Sequence, residues 1–149
     1  VLELFEVRVK IDSEGAGMAA ERATDDDLKT IKNYADQLEQ QIKGKGSILE
    51  VEPSRLYQKT FFSIADATHK SIYAHFMKSV WTLLDGAIPY SRQKLLNVPN
   101  ISKKITQQYR QIVSLVLERK PNPARKAVIR HLDFVGEQLR TVIESSEEG

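Results

Sequence analysis

An all-α fold follows from three features of the sequence. Apolar residues recur every three or four positions along nearly the whole chain, strand-like alternation never persists, and the breaks between apolar stretches are short. Long amphipathic helices joined by short connections pack as an antiparallel bundle. The 149 residues are the length of one domain and enough to bury a core. We therefore treat residues 1–149 as a single unit.

The first helix carries Leu4, Val7, Ile11, Gly15 and Met18 on one stripe, widened by Phe5, Val9, Ala16 and Ala20. Gly15 and Gly17 inside it cost roughly 1 kcal/mol each relative to Ala, and close approach of another backbone would explain them. Thr24 followed by Asp25, Asp26 and Asp27 is a helix start: the hydroxyl caps free N–H groups and the carboxylates suit the positive helix end. Leu28, Ile31, Ala35, Leu38 and Ile42 mark the buried face of the second helix, which GKGS (Gly44 to Ser47) ends. The third runs from about Pro53 to Thr68, with Tyr57, Phe61, Ile64 and Thr68 inward. The fourth begins near Ser71, carries Ile72, Phe76, Val80 and Leu83, and bends around Gly86 to Pro89 before SRQKLL. NVPN is a loop. Ser102 or Asn100 caps the fifth helix, with Ile105, Tyr109, Ile112, Val113 and Val116 facing in. NPAR (Asn122 to Arg125) starts the sixth, with Asn at the cap and Pro in the first helical position. That helix buries Ala127, Val128, His131, Val135, Leu139 and Val142, and the polar ESSEEG tail is expected to fray.

Composition narrows the function. Lys and Arg total 22 against 20 Asp and Glu, with no dense basic block, so direct nucleic-acid binding by this segment is not indicated. The absence of Cys excludes disulfides and thiolate metal sites. There is no apolar run of the roughly 20 residues that span a bilayer, and no signal peptide is visible. A cytoplasmic location and no membrane partner are expected. The chain opens at Val1 directly into a helical pattern, which reads as a piece of a longer protein. There is no Gly-rich phosphate loop, no nucleophile–His–acid grouping and no HExxH motif, so we expect no enzyme and no catalytic residues.

Five residues stand out. His131 lies between Ala127 and Val135 on an apolar stripe, where its ordinary role is a core histidine bonded to a neighbour. Tyr57, Phe61 and Tyr109 lie on inward stripes, where aromatics are ordinarily core. If the third, fifth and sixth helices adjoin, these four side chains could surround one cavity. Arg8 sits at the edge of the first buried stripe, where an unpartnered guanidinium is costly and needs an anion. The ordinary partner is Asp12, one turn on. The functional partner would be a ligand carboxylate gripped in bidentate fashion. His69 and His75 read as surface or helix-end residues. Ser91, Arg92 and Gln93 read as a solvated face, with the mouth of a pocket as the lesser alternative.

EVRVKID (Glu6 to Asp12) followed by AAERATDDDL (Ala19 to Leu28) resembles the opening helices of the effector-binding domain of FadR-type regulators in the GntR superfamily. IADATHK (Ile64 to Lys70) resembles that family's IAEATHN segment, and the stretch from Tyr109 through ARKAVIRHL (Ala124 to Leu132) its closing helices. The similarity covers nearly the whole chain, and SRQKLLNVP and RHLDFV are nearest to its lactate- and pyruvate-responsive branch. The resemblance implies an all-α bundle of six to seven helices and a winged helix-turn-helix domain ahead of Val1. It also implies a divalent metal held by an Asp, a His four residues later, and two further histidines. Carried over, those positions are Tyr57, Phe61, Tyr109 and His131, so only His131 keeps a family ligand. Lys70 stands where the family has Asn, and Thr60 where it has Phe.

A zinc-like ion needs three or four N, O or S donors, and a phenol ionises only near pH 10. No metal and no other cofactor is therefore expected. The resulting expectation is a ligand-sensing domain of a bacterial transcriptional regulator, a homodimer that reaches DNA only through the separate N-terminal domain. A small organic acid, lactate- or pyruvate-like, would bind in the bundle through Arg8, Tyr57, Phe61, Tyr109 and His131. The alternative is a structural dimerisation module whose pocket its own aromatics have closed.

Overall fold

The computed structural model describes residues 2–44, 46–85 and 88–148. It is helical, with no strand among these residues. The helices are α1 (Leu2–Arg22), α2 (Asp25–Gln41), α3 (Val51–Ala67), α4 (Ser71–Leu84), α5 (Ile88–Leu95), α6 (Ile101–Leu117) and α7 (Pro121–Glu148). This is the expected all-α bundle. No described helix is long and apolar enough to cross a membrane.

α1 is the central element. It packs most extensively on α7 and also meets α3, α4 and α6. Its buried residues are Arg8, Asp12, Ser13, Ala16, Ala19 and Ala20 with the two glycines, so the stripe expected through Val7 and Ile11 is displaced by one position. Val7 is exposed. The reason is the Arg8–Asp12 pair, which places charge where a hydropathy pattern seeks Leu or Val. The glycines admit side chains, not the expected backbone. A Cβ at Gly15 would sit 2.6 Å from Met77 Sδ, and one at Gly17 would sit 2.3 Å from Arg125 Cζ. Arg125 then reaches Glu14 at 3.3 Å and Glu21 at 3.8 Å.

The α2 cap forms as expected. Asp27 N–H donates to Thr24 Oγ1 and Thr24 N–H donates to Asp27 Oδ2 at 2.8 Å, closing a reciprocal capping box. α3 buries Phe61, Ile64 and Thr68 as expected, and Thr60 beside them. Its start is two residues earlier than Pro53, which occupies the first turn, where a missing N–H is tolerated. On α4 the expected stripe is corrected. Ile72, Phe76 and Leu83 are exposed, and Ala74, Met77, Val80, Trp81 and Leu84 face the core. This helix is apolar on two faces, so period alone could not select one. The bend expected at Gly86 to Pro89 falls partly on residues 86–87, outside the described residues, and SRQKL (Ser91 to Leu95) belongs to a separate α5.

The cap expected from an α6 side chain is absent. Asn100 occupies the cap position with φ 60° and makes no side-chain cap bond, and Ser102 Oγ is bonded instead to Ser47 Oγ. The inward residues of α6 are buried as expected. α7 begins at Pro121 rather than after Asn122, because Pro121 supplies the preset φ two residues before Pro123. Asn122 Oδ1 accepts from Arg125. The tail expected to fray continues α7 to Glu148.

Candidate functional site

The site grows from the middle of α1. Arg8 is only 4% exposed and Asp12 fully buried. Arg8 Nε–H donates to Asp12 Oδ2 at 2.8 Å, the ordinary partner foreseen one turn on. The guanidinium also lies over Trp81, with Cζ 3.9 Å from the ring centroid, a cation–π contact. Burial pushes the Asp12 carboxyl above its usual range, against the pull of Arg8 and of the nearby Trp81 indole. Arg8 Nη2, Asp12 Oδ1 and Trp81 Nε1 are buried and none makes a well-aligned hydrogen bond, although Trp81 lies near enough to act on Asp12 and Arg8 near enough to act on Tyr57, so the cluster is imperfectly paired.

Beside Arg8 lies a cavity of about 600 Å³, within the range of small-molecule sites. Tyr57, Trp81, His131 and Arg8 form its polar wall, and Leu84, Leu95, Ile105, Leu132 and Val135 supply apolar surface.

His131 is 1% exposed and both ring nitrogens are engaged. Nδ1 lies 2.7 Å from Gln108 Oε1 and Nε2 lies 2.6 Å from the Tyr57 hydroxyl. An amide oxygen only accepts, so Nδ1 carries the proton and Nε2 accepts from Tyr57. The ring is neutral, because burial first and the Arg8 charge second hold its pKa down at about 3. Burial likewise raises the Tyr57 phenol above its usual value of 10.0. Similar bookkeeping places the Tyr109 proton. Thr60 Oγ1 spends its one hydrogen on Leu56 O at 2.8 Å, so Tyr109 donates to Thr60 across 2.7 Å.

The structure thus gathers the five residues singled out from the sequence, but on two layers. Arg8, Tyr57 and His131 line the cavity. Phe61 and Tyr109 are packed behind Tyr57, with ring centroids 4.9 and 5.6 Å from it. Sequence reasoning missed Trp81, which lay on the unselected face of α4. Ser91 and Arg92 line the cavity while Gln93 is exposed, which matches the lesser of the two alternatives for that trio. Gln108 carried no signal: it is a polar residue next to Tyr109, and only its placement under His131 gives it a role.

At the four positions to which the resemblance assigns a metal, the donors are two phenols, one imidazole and none at Phe61. Both imidazole nitrogens are already bonded, and burial raises the Tyr109 phenol as well. Among the described residues no three His, Cys, Asp or Glu side chains gather to hold an ion. This set does not fit a divalent metal.

The seven-helix bundle agrees with the resemblance carried by EVRVKID and AAERATDDDL. The chain belongs to the FCD domain family, whose model matches residues 3–134. It is similar to the putative L-lactate dehydrogenase operon regulatory protein of Escherichia coli, 26% identical over 136 residues that cover 89% of this chain and 49% of that protein. It is also similar to the Glc operon transcriptional activator of Escherichia coli, 24% identical over 140 residues that cover 94% of this chain and 55% of that protein. The chain spans about half the length of these curated relatives, which are regulators of transcription.

Proposed function

We propose that this FCD domain senses a small carboxylate in its cavity and that binding alters DNA binding by an attached winged helix-turn-helix domain. The observation that carries the reading is Arg8 Nη2, a buried cationic N–H that makes no well-aligned hydrogen bond, set near the Tyr57 hydroxyl in the wall of a cavity of about 600 Å³. A ligand carboxylate would accept from Nη2–H, and the Tyr57 hydroxyl, which donates to His131, still has lone pairs for a ligand hydroxyl. Phe61 and Tyr109 brace Tyr57 from behind. The L-lactate dehydrogenase operon named for one relative makes L-lactate a natural first probe. Binding can reset the regulator only as far as the ligand prefers one arrangement of the helices over another.

The rival reading, a dimerisation module with a closed pocket, is disfavoured by the open volume next to donors that make no well-aligned hydrogen bond. Association itself is part of the proposal. α4 exposes Ile72, Phe76 and Leu83, an apolar face suited to a second copy of the chain. Catalysis is not proposed, in keeping with relatives that are regulators of transcription. Resident metal is not proposed either: analysis of tag-free protein is expected to find far less than one zinc or nickel ion per chain, and stoichiometric metal would contradict the donor assignment.

A melting-temperature panel of small monocarboxylates tests the central reading. A ligand at 100 times its Kd stabilises by about 2.7 kcal/mol, or several degrees at roughly 2–4 °C per kcal/mol for a domain of this size. A panel in which no acid moves the melt would favour the closed module.

A further inference from the structure

Resting on that reading of the cavity, we propose that Arg92, on α5, is the residue that supplies net positive charge to the effector, and that the site is consequently built for a monoanion. Arg8 alone cannot do this. Its charge is already matched by Asp12 at 2.8 Å, so a carboxylate placed on Nη2 would leave one uncompensated negative charge in a buried site, which is strongly unfavourable. Another cation must face the same space.

The charged groups lining the cavity are Arg8, Arg55, Arg92 and Asp85. Arg55 is exposed and held by Glu52 at 2.9 Å. Asp85 is exposed at the end of α4, where water screens it. Arg92 differs from both. It is partly buried, its Nε is buried without a hydrogen-bond partner, and its guanidinium forms no ion pair among the described residues. Its helix lies against α7, which brings His131 and Val135 to the same cavity.

The roles divide accordingly. Arg8, fixed by Asp12 and Trp81, offers a directed N–H from a rigid element. Arg92 offers a second N–H and the charge. With His131 neutral, the inner wall sums to one positive charge, which a single carboxylate cancels. A second carboxylate on the ligand would have no cation left for it.

Calorimetric titration of the wild-type chain with matched acids tests this. L-Lactate and L-malate differ by one carboxyl group, as do butyrate and glutarate. The monoacid of a pair is expected to bind at least about tenfold more tightly than its diacid. Arg92→Gln should weaken monoacid binding by about ten- to a hundredfold, while Arg92→Lys, which keeps the charge, retains most of it. A diacid that binds as tightly as its monoacid, or an Arg92→Gln chain that binds like wild type, overturns the proposal and leaves the carboxylate pocket standing. If neither acid of either pair binds the wild-type chain, both fall. The wild-type comparison remains decisive even if a variant does not fold.

Discussion

At the scale of single residues, the protonation state of His131 has a measurable consequence. Its pKa is depressed from 6.5 to about 3, so between those values the unfolded chain binds a proton that the folded chain refuses. The stability tied to this residue is complete above pH 6.5 and is lost as pH falls towards 3, at about 1.4 kcal/mol per pH unit. Urea unfolding from pH 7 to pH 4 should show the wild type losing stability more steeply than His131→Gln by up to this slope, since the variant still forms hydrogen bonds but does not titrate there, while the raised Asp12 carboxyl acts in the opposite sense in both. An unchanged slope would mean that His131 is charged in the fold. Tyr57→Phe is expected to cost about 1–3 kcal/mol by stranding the buried Nε2 acceptor, measured as a lower urea midpoint with unchanged m. Removing Arg8 is a poor probe of ligand binding, because Arg8→Ala leaves Asp12 buried and unpaired at a cost of about 3–5 kcal/mol. At this scale the sequence was informative where a residue broke its own pattern: a cation on an apolar stripe, or a His among Val and Ala. It was silent on Gln108 and Thr60, whose roles come from residues far along the chain.

At the scale of helices, the two glycines of α1 separate local propensity from packing. Each Ala substitution gains up to roughly 1 kcal/mol of helix propensity. At Gly15 the new methyl would meet Met77, which is 1% exposed and has little room to yield, and overpacking costs typically about 1–3 kcal/mol. At Gly17 it would meet Arg125 from Cγ, 2.7 Å away, to Cζ, so that partly exposed side chain must turn from its Cβ outward into water and give up ion pairs with Glu14 and Glu21 that are worth little at the surface. Gly15→Ala should therefore lower the melting temperature, and Gly17→Ala should leave it unchanged or raise it slightly. The reverse order would contradict the packing described for α1. Helix existence was legible nearly everywhere because the apolar period runs through the chain, and the α2 cap was legible to the residue because Thr24 and Asp27 stand at capping-box spacing. The buried face was not legible on α1 or α4. On α1 the buried stripe carries charge, and on α4 two apolar faces compete, so the choice falls to neighbours that local pattern does not reveal.

At the scale of the whole molecule, the exposed apolar face of α4 and the cavity beside Arg8 are properties of assembly. Neither is encoded in any one segment, which is why the sequence could place Tyr57, Phe61, Tyr109 and His131 on inward stripes but not say which of them line the open volume. If α4 is the surface that meets a second copy, Phe76→Glu should shift the sedimentation coefficient towards monomer without changing helicity, since Phe76 is already 56% exposed. A dimer unaffected by that change would place the interface elsewhere. The cavity offers a built-in reporter. Trp81 is the chain's single tryptophan, it lines the cavity, and Arg8 rests on its ring. Fluorescence titration with small monocarboxylates, each paired with its uncharged carboxamide, therefore reads the central claim directly. The account predicts a saturable change in Trp81 emission for at least one acid and none for its amide. An emission that no acid alters, or that acid and amide alter alike, would contradict it.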